Sequence, residues 1–135
     1  MFLGWLLKCG GTEVPMKYIK LSSYKITPNQ RLDISAERDM LGELHRDTVD
    51  HKPVKIEFET PFIYNDELEK LNSIFRRAYT DEKGRTLEIE YYDPEENNYK
   101  NARCYMPDTQ YVLYNVDATN RRIMYNPVRY AIIEY

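Results

Sequence analysis

Alternation of apolar and polar residues predicts most of the chain to be β-strand. In "PVKIEFETPF", the apolar residues Val54, Ile56 and Phe58 alternate with charged residues, so they should share one face of a strand. The pattern recurs in "RTLEIEYYD", which follows a turn at "DEKG" and precedes a loop at "PEENN". The segments "YKNARCYMP", "QYVLYNVD" and "RRIMYNPVRYAIIEY" predict three further strands. The opening "MFLGWLLK" is apolar at nearly every position and predicts a short buried strand ahead of Gly10 and Gly11.

One segment, "NDELEKLNSIFRRAY", has the three- and four-residue apolar spacing of an amphipathic helix. It predicts a helix over residues 66–79, with Asn65 as the N-terminal cap. Leu71 and Phe75 lie at the centre of the stripe and should make the deepest contacts with the sheet. The whole stripe consists of Leu68, Leu71, Ile74, Phe75 and Ala78.

A hairpin is predicted over about residues 32–50. Gly42 ends a short polar loop between the extended runs "RLDISAERD" and "ELHRDTV", a pattern typical of hairpin turns. The order is therefore several strands, one helix and then four strands. This order predicts a mainly β (α+β) fold: an antiparallel β-sandwich or partly open barrel with one α-helix packed across it and a projecting hairpin. At 135 residues, the chain 1–135 is predicted to be a single domain.

The charge and composition of the chain argue against several classes of partner and location. The net charge of −3 gives no general attraction to nucleic acid or to anionic membrane. No stretch approaches the roughly 20 apolar residues of a membrane span, and the apolar run from Phe2 to Leu7 is too short for a signal peptide. Tyrosine is abundant, with 13 residues against 4 Phe and 1 Trp. Because tyrosine suits half-buried surfaces, its abundance indicates covered sheet faces or subunit contacts.

The stretch "ERDMLGELHRDTVDH" holds both histidines of the chain and is the strongest candidate for a metal site. On a strand, Glu43, His45 and Asp47 would share one face, with His51 farther along it. Arg38 and Arg46 lie among these residues, and cations beside a metal ligand set oppose binding. No metal-binding motif of known spacing is present. We therefore interpret the stretch as a charged hairpin without metal or other cofactor.

Other chemistries have weaker support. Cys9 and Cys104 match no zinc spacing and are expected in the core as free thiols. Glu88 and Glu90 belong to the polar face of a strand, and no phosphate-binding glycine loop is present. The best nucleic-acid hypothesis is base stacking on sheet tyrosines, which the acidic loops oppose. The sequence therefore predicts that the protein is not an enzyme.

Several separate motifs resemble a family of short, functionally uncharacterised proteins. The motifs are "FLGWLLKCGG", "KYIKLSSYKITPNQRLD", "RDMLGELHR", "KIEFETP", "NDELEKL" and "IMYNPVRYAIIEY", and they extend from end to end of the chain. The similar proteins are encoded among the tail genes of phages and prophages of Gram-positive bacteria. The resemblance implies a virion or tail-assembly component, found in the host cytoplasm during assembly and then in the virion tail.

The function predicted from these observations is a non-catalytic structural or assembly component of a phage tail. Its expected partners are itself, other tail proteins or both, and neither membrane nor nucleic acid. The alternative is a small binding module for a ligand or single-stranded nucleic acid. Bulky side chains on both faces of "YVLYNVD" predict that the helix, the N-terminal strand or another subunit covers the second face. Because one helix cannot cover all of these strands, self-association is expected through an exposed Tyr-rich sheet face or through the 32–50 hairpin. The candidate interaction surface is Arg38, Leu41, Leu44, His45, Arg46, Tyr111, Tyr114, Tyr125 and Tyr130.

Overall fold

A computed structural model describes residues 1–31, 33–48 and 50–135, with the backbone alone for residues 33–36, 47 and 48. The described residues form thirteen β-strands and one α-helix. The helix, α1, spans Asn65–Ala78. The strands are β1 (Leu7–Cys9), β2 (Thr12–Glu13), β3 (Lys25–Thr27), β4 (Asp33–Arg38), β5 (Leu44–Thr48), β6 (Lys55–Glu59), β7 (Ile63–Tyr64), β8 (Tyr79–Asp81), β9 (Thr86–Asp93), β10 (Asn98–Tyr105), β11 (Leu113–Asp117), β12 (Arg122–Tyr125) and β13 (Arg129–Glu134).

The described strands lie in three antiparallel sheets. The large sheet has the order β2-β1-β9-β10-β13-β6-β3, with β8 also paired to β9. The small sheet has the order β11-β12-β7, and β4 and β5 pair only with each other. The prediction of a mainly β, α+β fold with antiparallel strands and one helix is confirmed. Within the described residues, the sheets do not close into a barrel.

Helix α1 packs its apolar stripe on the sheets, because this is the one face of the helix that gains from leaving water. All five residues of the predicted stripe are buried, and the two central ones are the least exposed, with Leu71 at 0% and Phe75 at 2%. The Phe75 ring lies 5.2 Å from the ring of Tyr130, which in turn lies 5.5 Å from Phe58 of β6. The predicted central contacts are therefore confirmed.

The helix begins one residue earlier than predicted. Asn65 is its first residue and Tyr64 occupies the cap position without a capping side chain. The Asn65 side chain instead accepts a hydrogen bond from the Ile123 N–H at 3.1 Å, which fixes the start of the helix to β12. At the other end, Tyr79 leaves the helix to enter β8, a strand that the sequence pattern did not reveal.

The N-terminal apolar run forms less strand than predicted. Only Leu7–Cys9 pair, whereas Met1, Phe2 and Leu3 are exposed. Gly4 has a φ of +93°, a conformation that turns the chain out of the extended path. Side chains rather than a sheet hold this segment: Phe2 packs on Tyr92.

The last predicted strand is in fact two strands in different sheets. Between β12 and β13 stands Pro127, which has no N–H to offer a ladder and therefore interrupts the strand. Pro61 marks the matching break between β6 and β7. The two breaks lie side by side, because the Thr60 N–H donates to Val128 O at 3.0 Å and the Val128 N–H donates to Thr60 Oγ1 at 3.0 Å. At this junction the chain passes from the large sheet to the small sheet and back.

Replacing Phe75 by alanine should lower the free energy of unfolding by about 2–5 kcal/mol, because the substitution leaves a cavity under the helix. The matched control is Phe62→Ala, since Phe62 is about half exposed and its loss should cost roughly 0.5 kcal/mol or less. Urea unfolding followed by circular dichroism measures both. Equal unfolding midpoints for the two variants would contradict this packing.

Candidate interaction surface

The β4–β5 hairpin is built around a tightly bonded turn. The Asp39 N–H donates to Glu43 O at 2.9 Å, and Gly42 takes the left-handed conformation, with φ +81°, that closes such turns. The Asp39 carboxylate accepts hydrogen bonds from the N–H groups of Leu41 and Glu43 at 2.9 and 3.0 Å. The Arg38 guanidinium donates to Gly42 O at 2.9 Å. Arg38 and Asp39 therefore stabilise the turn itself through hydrogen bonds to its backbone.

The described side chains of the hairpin include exposed apolar residues. Met40 and Leu41, at the tip, are almost wholly exposed, and Leu44 is exposed as well. All residues from 37 to 46 are exposed, which includes every predicted interaction residue of the hairpin. Of the predicted hairpin, 32–50, Leu32 and Val49 lie outside the described residues. The described part nevertheless presents an apolar tip on a charged stem.

The residues considered for metal binding are arranged differently from the prediction. The ligand atoms of Asp39, Glu43 and His45 lie within 4.8 Å of one another at the exposed turn. His45 Nε2 lies 3.0 Å from Asp39 Oδ2, so both Asp39 oxygens already have partners. His51 is elsewhere: its Nε2 lies 2.5 Å from the backbone oxygen of Tyr135. The side chain of Asp47 is outside the described part of the hairpin.

Strand β11 forms the second exposed apolar surface. The side chains from residue 111 to residue 116 are all exposed, although five of the six are apolar or aromatic. Strand β11 itself begins at Leu113 and its register shifts between Leu113 and Asn115, yet its apolar residues Leu113, Tyr114 and Val116 are all exposed. Tyr114 is 61% exposed, and its ring packs on that of Phe62 at 4.9 Å. We call residues 111–116 together with Phe62 the β11 patch.

The four candidate tyrosines do not share one surface. Tyr111 and Tyr114 are exposed in the β11 patch, whereas Tyr125 is half-buried with its ring 6.3 Å from that of Tyr111. Tyr130 is 1% exposed and belongs to the core, so its assignment to an accessible surface is wrong. Its strand, β13, lies inside the large sheet between β10 and β6, and the helix covers the face that Tyr130 occupies. Burial raises the pKa of Tyr130 above the ordinary value for tyrosine.

A polar link connects the core to the β11 patch. The hydroxyl of Tyr130 donates to the Asn72 side chain at 2.6 Å, and the Asn72 amide donates to the Tyr111 hydroxyl at 3.2 Å. Beside this link lies a cleft of about 420 Å³, with Arg76, Tyr79 and Arg85 among its lining residues. Two of those cleft residues bond to each other, since the Arg85 guanidinium donates to the Tyr79 hydroxyl at 2.9 Å. The link ties Tyr111, the first residue of the β11 patch, to the helix.

Two residues of the exposed surface were missed by the sequence reasoning. Met40 occupies the apex of a hairpin loop, where polar residues are usual. An apolar residue at this position could have been recognised from the sequence as exposed. Phe62 lies between Pro61 and a buried strand residue, and no periodicity indicates that its ring would face solvent. Val112, Leu113 and Val116 of the β11 patch were identified from the sequence only as bulky residues on the two faces of a strand, not as an exposed surface.

The two cysteine thiols do not have the environment of a reactive nucleophile. Cys9 and Cys104 are both buried and free, as expected from the sequence. Burial raises the pKa of each thiol to about 12, which leaves almost no thiolate at neutral pH. Neither cysteine therefore has the electropositive, accessible setting that a nucleophile requires.

Comparison with known proteins places the chain in a family. A family model described as "Family of unknown function (DUF6711)" matches residues 1–135. The chain belongs to this family. Within the described residues of this DUF6711 protein, no helix has the length and apolar character needed to cross a membrane. No curated protein matches the sequence.

One solved structure resembles the fold of this DUF6711 chain. It is described as "Tail of empty GTA particle computed with helical refinement, C6 symmetry", and the two chains align with a TM-score of 0.51 at 14% sequence identity. The alignment covers 100% of this chain and 95% of the chain in that tail. At this identity the likeness concerns the fold, and it extends over nearly the whole of both chains.

The purified protein should bind no stoichiometric zinc or nickel through His45, because the nearby carboxylate of Asp39 is already used by the turn and Arg38 adds positive charge beside it. Elemental analysis after dialysis against each metal gives the content per chain, with His45→Ala as the control. Stoichiometric metal that disappears in His45→Ala would contradict the structural interpretation of the hairpin.

The hairpin turn should lose order in acid. Hydrogen bonds from His45 and from the N–H groups of Glu43 and Leu41 hold the pKa of Asp39 below its ordinary value. The carboxylate therefore stabilises the turn above the unfolded pKa of about 3.9, and this stabilisation disappears as the pH falls through the lower, folded pKa. The amide proton shifts of Leu41 and Glu43, followed by NMR from pH 6 downward, should change in that acid range.

The control for the acid transition is Asp39→Asn, which keeps a side-chain acceptor but removes the titrating group. In this variant the two amide shifts should change little with pH. An equally large acid shift in Asp39→Asn would assign the transition to another carboxylate.

Proposed function

We propose that this protein is a non-catalytic structural component of a phage or prophage tail and that it acts through subunit contacts. The observation that supports this most directly is the pair of exposed apolar surfaces, the hairpin tip and the β11 patch, each of which brings several exposed apolar side chains together outside the buried core. Monomers seldom leave large contiguous apolar surfaces in water unless those surfaces bind something.

The fold likeness supports the same proposal. A chain in a GTA particle tail shares this fold over nearly its full length. A tail is a repetitive assembly, so each of its subunits needs surfaces for its neighbours. On this proposal the protein is made in the cytoplasm of a bacterial host, Gram-positive by the sequence resemblance, and ends in the virion tail. Its partners are copies of itself, other tail proteins or both.

The alternative, a module for a small ligand or single-stranded nucleic acid, has less support. Base stacking needs exposed rings beside cations, and of the four candidate tyrosines only Tyr111 and Tyr114 are exposed. Residues 111–116 contain no cation. An oligonucleotide should therefore leave the tyrosine fluorescence and the NMR spectrum of the protein unchanged at low salt.

Deleting the gene in the phage or prophage that encodes it should abolish complete tails, because a missing structural subunit stops assembly rather than slowing it. Electron microscopy of particles from the deleted and complemented strains measures this, and mass spectrometry of purified tails should detect the protein. Normal tails without the protein, or purified tails that lack it in the parent strain, would contradict the proposal.

A further inference from the structure

The small sheet carries a polar cleft on one of its faces. Helix α1 contacts β7 and β12, and Ile63 of β7 is buried. Because neighbouring residues of a strand point to opposite faces, Tyr64 lies on the face away from Ile63. The cleft there has a volume of about 390 Å³, within the range of roughly 300–1,000 Å³ that is usual for small-molecule sites. It is lined by Tyr64, Asn115, Asp117, Asn120, Arg122 and Met124.

The strand register brings five of these residues onto one face. Asn115 pairs with Met124, which pairs in turn with Tyr64, so the three residues form one row across the small sheet. Asp117 pairs with Arg122, two positions farther along both strands. Residues two positions apart share a face, so the two rows lie side by side. The register shift of β11 comes before Asn115 and leaves both rows intact.

Other side chains hold the charged pair of the cleft in place. The Asp117 carboxylate accepts hydrogen bonds from the Asn120 N–H at 3.2 Å and from the Asn120 side-chain amide at 2.8 Å. The Arg122 guanidinium carbon lies 3.5 Å from the centre of the Tyr64 ring, and its Nη2 lies 3.6 Å from Asp66 Oδ1. A carboxylate can accept further hydrogen bonds, and a guanidinium has further N–H donors. Both groups are therefore oriented and still have capacity for a ligand.

The other two lining positions make the cleft amphipathic. The Asn115 side chain is exposed and makes no hydrogen bond within the described residues, so its amide offers both donors and an acceptor. Met124 is half-buried in the middle of its row and provides an apolar contact between the polar side chains.

The chemistry of the lining indicates the class of ligand. Asp117 opposes an anion and Arg122 opposes a cation, and the two charges cancel within the lining. A wholly apolar molecule would leave these polar groups without partners, which is unfavourable. Hydroxyl groups both donate and accept hydrogen bonds, so they match a carboxylate, a guanidinium and an amide that lie side by side. We propose that this cleft binds a saccharide.

A saccharide satisfies the two rows together. Hydroxyls on adjacent ring carbons can donate to Asp117 and accept from Arg122, and the C–H surface of the ring can contact Met124. The rival ligand is a free amino acid, whose carboxylate would suit Arg122 and whose ammonium group would suit Asp117. Glycine has no hydroxyl for Asn115 and almost no apolar surface for Met124. The inference goes beyond the proposed structural function, and neither requires the other.

The test titrates the full chain with saccharides and follows the side-chain N–H resonances of Asn115 and Arg122 by NMR. The probes are glucose, rhamnose and N-acetylglucosamine, each up to about 50 mM, which detects dissociation constants of about 1–10 mM. Glycine is titrated separately over the same range. The variants are Asn115→Ala and Arg122→Gln. The matched control is Asn101→Ala, because Asn101 of β10 is also an exposed strand asparagine whose side chain makes no hydrogen bond within the described residues.

At least one of the saccharides should shift both sets of resonances in a saturable way, and glycine should not. Arg122→Gln should weaken the binding roughly tenfold, as expected for one hydrogen bond to a charged group. Asn115→Ala should weaken it roughly 2–10-fold, as expected for a neutral hydrogen bond. Because Asn115 has no side-chain hydrogen bond to lose within the described residues, this variant should keep the melting temperature of the wild type. Asn101→Ala should bind as the wild type does.

Three results would overturn the inference: no response to any of the three saccharides, a response to glycine alone, or an unchanged affinity in Asn115→Ala. The second would assign the cleft to a zwitterionic ligand. The third would place the saccharide elsewhere on the protein. The presence of the protein in purified tails is measured independently, so the proposed function can stand while this site fails.

Discussion

The arrangement of the whole molecule depends on the hydrogen-bonded junction between Thr60 and Val128. Two prolines, Pro61 and Pro127, interrupt two neighbouring strands at the same level. The chain would lose ladder bonds there, but the Thr60 hydroxyl accepts the N–H of Val128, and the Thr60 N–H donates to Val128 O. Thr60 is completely buried, so leaving these groups without partners would cost about 1–3 kcal/mol each. The junction holds the small sheet at a fixed place beside the large one.

The position of the helix determines which strands of the small sheet are covered. Helix α1 lies against β7 and β12 as well as the large sheet, and the Asn65 side chain fixes its start to β12. A helix of 14 residues is about 21 Å long, and in the small sheet it contacts the two near strands, β7 and β12. Strand β11 lies at the edge of that sheet, and its apolar residues are exposed.

The elements best predicted from the sequence are those whose burial follows from their own periodicity. The stripe centred on Leu71 and Phe75 and the alternation around Ile56 needed no knowledge of neighbours. Tyr130 was misplaced because alternation shows that two faces differ but does not show which face the helix covers. Pro127 separates two apolar runs that read as one strand in the sequence. The hydrogen bonds lost at this break are replaced by those of Thr60, which lies 68 residues from Val128 in the chain. Such distant pairings leave no local signal.

The two exposed surfaces contribute little to the stability of the folded chain. The buried core of the described residues draws on segments from Leu7 to Ile132, yet it includes none of the hairpin residues 37–46 and none of β11. Substitutions at Leu41 or Val116 therefore remove apolar area that is already in water, and they should change folding far less than they change association. The same separation carries a hazard, since an exposed apolar strand edge can pair with unrelated chains. The acidic stem of the hairpin and the shortness of β11 restrict that hazard.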